Sequence, residues 1–295
     1  MNRITSRKRV TRVTVGSPGV RRDDLLAVEE PLEIRVAGRS LAITMRTPGH
    51  DVDLAAGFLV SEGVIAVRDD FAAARYCAGA TAEGLNTYNV LDVTLGAGVP
   101  APDPSLERAF YTTSSCGLCG KASIDAVRTR SQHAVSHDDV RVDPALLSTF
   151  PDRLREAQDV FEKTGGLHAA ALFDGRTGRM LVLREDVGRH NAVDKVIGWA
   201  VKEGLLPLSG LVLMVSGRAS FELTQKASMA GVPVLAAVSA PSSLAVELAE
   251  ELGITVVGFL RGRSMVVYSR PDRIGAADDG AVGSPDEAAR LASAS

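Results

Sequence analysis

The stretch LVLMVSGRASFELTQKASMAGVPVLAAV, residues 211–238, decides the fold class of this chain. It opens with a short apolar run that predicts a buried strand over residues 211–215. A loop of small and polar residues follows, and the spacing of apolar residues then predicts a helix over 221–230. A second apolar run predicts a strand over 234–238. Apolar strands that alternate with amphipathic helices indicate a sheet covered by helices on both faces.

The same alternation continues on both sides of this stretch. The further predicted elements are, in chain order, a helix over 153–163, strands over 169–173 and 180–184, a helix over 190–203, a helix over 244–252 and a strand over 255–259. The two strands before residue 185 form a hairpin around a Gly-rich turn. We therefore predict an α/β core over residues 151–274.

The first half of the chain is rich in predicted strands. Its elements are strands over 32–36 and 41–45 joined by a turn, a helix over 51–62 and a strand over 90–95. They predict a β-rich N-terminal lobe over residues 10–150, which ends in a segment with two cysteines. Residues 1–9 are predicted to be a flexible basic arm, and residues 275–295 a disordered tail.

Composition limits the classes of function that the chain can have. It has 295 residues, a net charge of −3 and 45% hydrophobic residues, as expected for a globular protein with a sizeable core. The charge argues against nucleic acid as a partner. Three cysteines are too few for a secreted disulfide framework, and no apolar run suits a signal peptide or a membrane span. We expect a cytoplasmic protein without membrane insertion.

Two of the cysteines form a Cys-x-x-Cys pair in the run TTSSCGLCGK, residues 112–121. Small neighbours leave the sulfur atoms of Cys116 and Cys119 accessible, and a helix that starts after Cys116 would favour its thiolate. A thiolate attacks other sulfur atoms or binds metal. The third cysteine, Cys77, has no partner at a useful spacing and is predicted to be a buried side chain.

Metal binding is the main alternative for the cysteine pair. A structural zinc site needs four Cys or His ligands, and no second Cys-x-x-Cys follows. Zinc-dependent deaminases add an upstream His-x-Glu or Cys-x-Glu, which does not occur before Cys116. We therefore expect no permanently bound metal. A thioredoxin-type redox role is the second alternative, but that motif normally follows an early strand of a compact domain.

Four polar loops fall where predicted strands begin or end. They are Thr164–His168, Glu185–Asn191, Ser216–Ser220 and Phe259–Ser264. Ligands of α/β sheets bind beyond the strand ends, and Gly-Arg pairs at a helix N-terminus suit phosphate oxygens. One such pair is equally typical of a surface turn with a salt-bridged arginine.

The loops together carry four arginines: Arg189, Arg218, Arg261 and Arg263. Four cations on neighbouring loops predict a ligand with more than one phosphate, such as a nucleotide-bearing cofactor. Two histidines, His168 and His190, lie in the same loops. They fit acid–base chemistry, metal binding or a hydrogen bond to the local backbone, and the sequence leaves these alternatives open.

Several of these segments point to a known family. They are SSCGLCG (114–120), TGGLH (164–168), EDVGRHNAVDK (185–195), SGR (216–218), SAPSSLA (239–245) and GFLR (258–261). Together they resemble the FdhD/NarQ family of formate dehydrogenase accessory sulfurtransferases. The resemblance extends from about Glu29 to Arg270, and the run over 185–195 is its most specific part.

The resemblance implies a sulfur carrier and sulfurtransferase. It would accept sulfur from a cysteine desulfurase as a cysteine persulfide. It would then transfer that sulfur to the molybdenum of the bis(molybdopterin guanine dinucleotide) cofactor, before the cofactor is inserted into formate dehydrogenase. By motif position, Cys116 matches the persulfide-bearing cysteine and Cys119 the second cysteine. The cofactor, with its guanine nucleotide portion, is then a bound substrate.

By resemblance, the cofactor-contact segment is Phe259–Ser264. The full set of predicted cofactor-binding residues is Phe259, Leu260, Arg261, Gly262, Arg263, Ser264, Gly188, Arg189, His190, Ser216, Gly217, Arg218 and His168. The resemblance also implies a core similar to the cytidine deaminase fold, with an α/β/α arrangement around a mixed sheet, and a homodimer. Two other functions stay open: a zinc-dependent deaminase-like hydrolase, and a non-catalytic chaperone that delivers the cofactor.

Overall fold

The computed structural model of the chain describes residues 4–77, 88–102 and 131–275. The strands in these residues are β1 (Thr5–Arg12), β2 (Val20–Ala27), β3 (Glu30–Val36), β4 (Arg39–Arg46), β5 (Phe71–Tyr76), β6 (Val90–Leu95), β7 (His168–Asp174), β8 (Met180–Asp186), β9 (Leu211–Val215), β10 (Val234–Ala237), β11 (Thr255–Arg261) and β12 (Ser264–Val267). The α-helices are α1 (Asp51–Ser61), α2 (Pro144–Leu147), α3 (Phe150–Glu156), α4 (Asp159–Thr164), α5 (Arg189–Lys202), α6 (Phe221–Met229) and α7 (Ser243–Leu252). Both cysteines of the pair and the predicted disordered tail from residue 276 onward lie outside the described residues.

A six-stranded sheet in the order β12-β11-β10-β9-β7-β8 forms the centre of the fold. Strands β9, β10 and β11 are parallel to one another. Strand β7 is antiparallel to both β9 and β8, and β12 is antiparallel to β11. The sheet is therefore mixed, because β7 and β12 run opposite to the other four strands.

Helices cover both faces of this sheet, as the apolar strands predict. In β9, Leu213 and Val215 are buried in one hydrophobic cluster, and Val212 and Met214 are buried in another. Side chains from α1, α5 and α6 close the first cluster, and side chains from residues 140–154 close the second. One apolar run fills both clusters because consecutive side chains of a strand point to opposite faces. This α/β/α arrangement confirms the predicted fold class and is compatible with a cytidine deaminase-like core.

A second sheet, in the order β4-β3-β6-β5, is joined to the centre by a close helix crossing between α1 and α5. A Cβ added to Gly57 would lie 1.8 Å from the carbonyl oxygen of Asp194. One added to Gly198 would lie 1.7 Å from the carbonyl oxygen of Asp53. The two glycines therefore allow the backbones of the helices to touch.

The predicted N-terminal lobe and the predicted core share their hydrophobic clusters. Leu32 of β3 and Leu54 of α1 are buried in the same cluster as Val193 of α5. On the other face of the central sheet, Leu147 and Phe150 pack with the side chains of the core strands. The predicted boundary at residue 150 therefore does not coincide with a break in the packing.

Strands β1 and β2 form an antiparallel ribbon apart from the two larger sheets. Its register runs from Thr5 opposite Ala27 to Arg12 opposite Val20. The prediction of a flexible arm over 1–9 is therefore wrong from Thr5 onward. The charged segment is ordered by backbone pairing with β2. Its composition gives no sign of this pairing.

The helix predicted over 153–163 is two helices, α3 and α4. The backbone N–H groups of Val160 and Phe161 donate to the carboxylate of Glu185 at 2.9 and 2.8 Å. A side chain at the end of β8 thus caps the N-terminus of α4. Because Glu185 is remote in sequence, apolar spacing alone cannot locate the break.

Strands β5 and β12 were also not predicted from the sequence. Each lies at the edge of its sheet and contains no fully buried side chain. An edge strand with little burial lacks the apolar run that identifies a central strand. Among the described helices, none is long and apolar enough to cross a membrane.

Candidate functional site

The four predicted polar loops meet at one edge of the central sheet. Strands β9, β10 and β11 end there, β7 begins there because it is antiparallel to β9, and β8 ends there because it is antiparallel to β7. We call this surface the loop edge. It consists of residues 164–168, 185–191, 216–220, 239–242 and 259–264. In α/β sheets, this position beyond the strand ends is where ligands bind.

Hydrogen bonds join neighbouring loops of the loop edge into one surface. The backbone N–H of Ser216 donates to the carbonyl of Ala169 at 3.0 Å, and that of Ser242 donates to the carbonyl of Ala219 at 3.0 Å. Further along, the N–H of Phe259 donates to a carbonyl of the 239–242 loop, that of Ser239, at 3.2 Å. The sequence prediction that these loops are neighbours is therefore confirmed.

Gly217 lies between His168 and Arg189. A Cβ at position 217 would be 3.5 Å from Nδ1 of His168 and 3.9 Å from Cδ of Arg189. Because glycine has no side chain, the backbone at this position is left uncovered between the two side chains.

Arg189 is the first residue of α5, and its Nε is buried with no hydrogen-bond partner among the described residues. A buried N–H without a partner is costly, so it is typical of a group whose partner is a ligand. A guanidinium group binds phosphate oxygens in a bidentate manner, and the positive end of the helix dipole favours the same anion. The surroundings of Arg189 therefore fit a phosphate group.

His190 contacts a carboxylate that the sequence patterns do not indicate. Its Nε2 lies 3.3 Å from Oε2 of Glu222 and 3.4 Å from Oγ of Ser220. The hydrogen bond from His190 lowers the pKa of Glu222 to about 2, although partial burial opposes that shift. Glu222 is therefore ionised at neutral pH and makes Nε2 of His190 a donor. The other ring nitrogen, Nδ1, has no hydrogen-bond partner among the described residues.

His168 has a different environment. Burial, and then the positive charges of Arg189 and His190, lower the pKa of His168. His168 is thus neutral at pH 7, and one of its ring nitrogens accepts a hydrogen bond. The loop edge therefore presents one neutral histidine and one histidine paired with a carboxylate, which suits them to different roles.

The run over 185–195 also builds the support beneath the loop edge. Asp186 is fully buried and lies 2.7 Å from Nζ of Lys195. The same carboxylate accepts from the backbone N–H of Thr47 at 3.1 Å and from that of Gly188 at 2.8 Å. The side-chain amide of Asn191 donates to it at 3.1 Å. These contacts fix the turn that brings Arg189 and His190 to the surface.

The predicted cofactor-contact segment is the turn between β11 and β12. Phe259 is 42% exposed and has a φ of 49°, in the left-handed region, and Gly262 has a φ of 53°. The turn therefore presents an aromatic ring to solvent on a constrained backbone. Leu260 differs from its neighbours, because its side chain is fully buried in the second cluster and only its backbone faces the turn.

The remaining predicted residues on this surface are exposed. Arg218, Arg263 and Ser264 face solvent. Arg261 is also exposed, but its Nε donates to the carbonyl of Val238 at 3.0 Å, which holds the side chain along the loop edge. The four predicted arginines are thus all on one edge of the sheet, and one of them, Arg189, has a buried donor that no described residue satisfies.

Sequence reasoning missed Glu222. The available signal was its position in the first turn of a predicted helix, two residues after Ser220, but acidic residues are common there for structural reasons alone. Cys116 and Cys119 lie outside the described residues. Within the described residues, no group of three or more His, Cys, Asp or Glu side chains is placed to hold a metal ion.

Comparison with protein families gives a clear match. The model of the FdhD/NarQ family matches residues 27–275 of the chain. The chain belongs to the FdhD/NarQ family. This FdhD/NarQ match includes every loop of the loop edge and both cysteines of the pair, whereas most of the β1–β2 ribbon precedes it.

Individual relatives agree with this assignment. A Mycolicibacterium paratuberculosis protein named sulfur carrier protein FdhD is 61% identical over 272 residues, which cover 92% of this chain and 99% of that protein. A Streptomyces avermitilis protein of the same name is 62% identical over 275 residues, covering 93% of this chain and 97% of that protein.

A solved structure has the same fold. It comes from Desulfotalea psychrophila and is proposed to be a formate dehydrogenase accessory protein. The two structures agree with a TM-score of 0.71, over 92% of this chain and 100% of that chain, at 22% sequence identity. This likeness shows that the two proteins share one fold.

Proposed function

We propose that this chain is a sulfur carrier and sulfurtransferase that serves formate dehydrogenase. Membership of the FdhD/NarQ family and the names of its relatives support the sulfur-carrier role. The proposal places the protein in the cytoplasm, where reducing conditions keep both thiols of the cysteine pair free.

The first step of the proposed reaction is sulfur transfer from a cysteine desulfurase. The thiolate of Cys116 attacks the outer sulfur of the desulfurase persulfide. A new S–S bond forms on Cys116, the donor S–S bond breaks, and the desulfurase cysteine leaves as a thiolate. No external oxidant is needed, because the sulfur keeps its oxidation state. Cys119, the second thiol of the pair, assists release of that sulfur in this proposal.

The acceptor in this proposal is the molybdenum of the bis(molybdopterin guanine dinucleotide) cofactor, bound as a substrate. The observation that supports it most directly is the convergence of arginine-bearing loops at the loop edge. A cofactor with two guanine dinucleotide arms carries two pyrophosphates. The buried Nε of Arg189, which has no partner among the described residues, fits one such anion. The exposed ring of Phe259 offers a stacking surface for a guanine.

Intact-mass analysis tests the sulfur-carrier role. Purified protein is incubated with cysteine and a purified cysteine desulfurase, and its mass is compared before and after reduction. We expect the gain of one sulfur atom, which a reductant removes. Cys116→Ala should prevent the gain, whereas Cys77→Ala is the matched control and should retain it. A wild-type protein that gains no sulfur from an active desulfurase would contradict the proposal.

The same variants separate the two alternative functions. If the protein is a chaperone that only delivers the cofactor, the Cys116→Ala, Cys119→Ala double variant would still restore formate dehydrogenase activity in cells. A zinc-dependent hydrolase would contain stoichiometric zinc that is lost with Cys116→Ala. We expect neither result: the double variant should be inactive in cells, and purified wild-type protein should contain no stoichiometric zinc.

A further inference from the structure

The β1–β2 ribbon ends in an exposed apolar tip, residues 13–20. Within the tip, Val13 is 72% exposed, Val15 100% and Val20 63%. The flanking residues, out to Thr11 and Asp23, are exposed as well. A group of exposed apolar side chains at the end of one element is typical of an interaction site, because water solvates such side chains poorly. The tip therefore indicates a contact that another surface completes.

The ribbon is anchored at its root, the end opposite the tip. The backbone N–H of Val28 donates to the carbonyl of Ile4 at 2.9 Å, and β2 packs against α4. The root lies beside the loop edge, because a Cβ added to Gly166 would be 3.8 Å from the Cβ of Ala27. Strand β1 extends roughly 24 Å from this root at the usual rise per residue. The ribbon therefore carries its tip well away from its anchor.

The ribbon is also basic in a chain that is acidic overall. Its residues 4–27 include six Lys or Arg and two Asp, a formal charge of +4, whereas the whole chain has −3. Each aspartate has one arginine within ion-pair distance: Asp23 has Arg7 at 3.9 Å, and Asp24 has Arg22 at 3.4 Å. The cations that form no ion pair with a described residue are Lys8, Arg9, Arg12 and Arg21. The ribbon therefore suits an anionic partner.

The register places these cations on both faces of the ribbon. Residues directly opposite each other share a face, and successive residues of a strand alternate between faces. Arg12 and Arg22 therefore lie on one face, whereas Arg9 and Arg21 lie on the other. We call these four arginines, the cations nearest the tip, the collar. A flat partner that covered one face would leave half of the collar without an anion.

A partner that meets the ribbon at its tip satisfies both faces at once. An anionic bilayer is such a partner, because its charged headgroups form a layer above an apolar interior. Apolar side chains at the tip reach the boundary between headgroups and acyl chains, and the long arginine side chains behind them stay among the headgroups. The order of tip and collar along the ribbon thus matches the order of layers in a bilayer.

Other anionic partners fit this arrangement less well. Residues 4–27 contain no aromatic side chain on which a nucleic acid base could stack. A nucleic acid backbone also offers no apolar layer for the valines of the tip. An acidic protein would have to surround the ribbon on two sides to reach the whole collar. The observations therefore favour a lipid surface.

We propose that the β1–β2 ribbon docks, tip first, on an anionic lipid surface. The contact is peripheral: the valines of the tip enter the headgroup layer, and the ribbon does not cross the bilayer. Arg12 and Arg21, the collar residues closest to the tip, pair with lipid phosphates from opposite faces of the ribbon. The length of the ribbon keeps its root, and the loop edge beside it, clear of the lipid. This docking does not depend on the proposed sulfur chemistry.

Co-sedimentation with lipid vesicles tests the docking. The anionic vesicles contain about 30% phosphatidylglycerol in phosphatidylcholine, and the neutral vesicles contain phosphatidylcholine alone. Wild-type protein should sediment with the anionic vesicles at about 50 mM salt and stay in solution with the neutral ones. Raising the salt to about 500 mM should release it, because screening weakens the attraction between the collar and the headgroups.

Two variants of the ribbon separate the contribution of charge from that of the apolar tip. Arg12→Glu/Arg21→Glu should lower the partition onto anionic vesicles by about 30-fold or more, since each cation near an anionic surface strengthens binding. Val13→Ser/Val15→Ser keeps every charge and should lower the partition by about 10-fold, because the apolar contact is lost.

The matched control is Arg176→Glu/Arg179→Glu. It changes the net charge by as much as the arginine variant does, but on exposed residues of the β7–β8 turn, at the end of β7 opposite the loop edge. It should bind the anionic vesicles within about twofold of the wild type, because charges far from the lipid are screened. Circular dichroism verifies that every variant is folded. The ribbon variants should still gain one sulfur atom from a desulfurase, which separates lipid docking from the proposed function.

Three results would overturn the proposal. The first is a wild-type protein that stays in solution with the anionic vesicles at low salt. The second is binding of both ribbon variants as tight as that of the control, which would place the lipid contact elsewhere. The third is loss of binding in the arginine variant with the valine variant unchanged. That result would show that the ribbon binds polyanions in general, such as nucleic acid or an acidic protein, rather than a lipid interface.

Discussion

Arg189 is the residue of the loop edge whose own contacts call most clearly for a ligand. Its Nε is buried and finds no hydrogen-bond partner within the part of the chain that the structure describes, while His168 and the backbone of Gly217 lie beside it. A lysine at this position keeps the charge but loses the forked geometry and the Nε–H. We predict that Arg189→Lys weakens binding of GDP, a fragment of the proposed cofactor, by about 10-fold or more, as expected for a lost hydrogen bond to a charged group.

Isothermal titration calorimetry with GDP measures this effect, with Arg176→Lys as the distant control. An Arg189→Lys protein that binds GDP as tightly as the wild type would show that this guanidinium does not contact phosphate. If GDP fails to bind even the wild type, the loop edge is not the nucleotide site.

His168 gives the protein a predictable pH dependence. Because burial and nearby cations lower its pKa, the unfolded chain binds more protons than the folded chain below the ordinary histidine value of about 6.5. Stability is therefore complete above that pH and decreases as the pH falls toward the lowered pKa. His50 and His133, whose pKa values are also lowered mainly by burial, act in the same direction.

We predict that wild-type protein loses stability between about pH 7.5 and about pH 5.5, and that His168→Gln loses less over the same interval. Urea unfolding at the two pH values checks this. Glu222 does not contribute in this interval, because its pKa is lowered from 4.5 to about 2 and its stabilising effect is lost only in more acidic solution. Equal losses in the two proteins would show that His168 is not held neutral by the fold.

Among the elements, the crossing of α1 and α5 has the strictest steric requirement. An added methyl group at Gly198 would overlap the carbonyl of Asp53, so Gly198→Ala must separate the two helices. We predict that Gly198→Ala lowers the free energy of unfolding by about 3 kcal/mol, at the upper end of the usual cost of overpacking.

Urea denaturation measures the change. Gly166→Ala is the matched control, because the nearest atoms to its added Cβ would be 3.8 Å away, and it should change stability by less than about 0.5 kcal/mol. A Gly198→Ala protein as stable as the control would mean that the helices can separate without loss of packing.

The whole molecule should unfold as one unit, because the two larger sheets contribute to a common hydrophobic cluster. We predict that far-UV circular dichroism and the fluorescence of the single tryptophan, Trp199 of α5, give coincident urea transitions. Two separate transitions would instead support independent domains on either side of residue 150.

Most strands of the central sheet and the helices α5, α6 and α7 were predictable because their signals are local. Strand β9 has the predicted bounds. Helices α5 and α6 begin and end within one residue of their predicted bounds. Leu211 to Val215 is apolar throughout, which only a strand buried on both faces requires. The ribbon β1–β2 was missed for the opposite reason: its order comes from pairing between two charged strands.

The candidate site divides in a similar way. Residues with a strong chemical identity, such as Arg189 and His190, are visible in the sequence as polar groups in Gly-containing loops. Glu222 and the buried pair of Asp186 with Lys195 acquire their roles only through partners that lie in other elements. The spacing of apolar residues along the chain does not indicate which side chains of different elements become partners.

By itself, the sequence determined the α/β class, the order of the core elements and the loops that carry cationic side chains, because apolar runs and turn residues act within a few positions of one another. Only the tertiary structure decided which of those side chains meet. Strand direction brings His168, Arg189 and Gly217 to one edge, and two glycines set how closely α1 approaches α5. These are contacts between residues distant in sequence, and their energies depend on packing and burial, which exist only once the chain has folded.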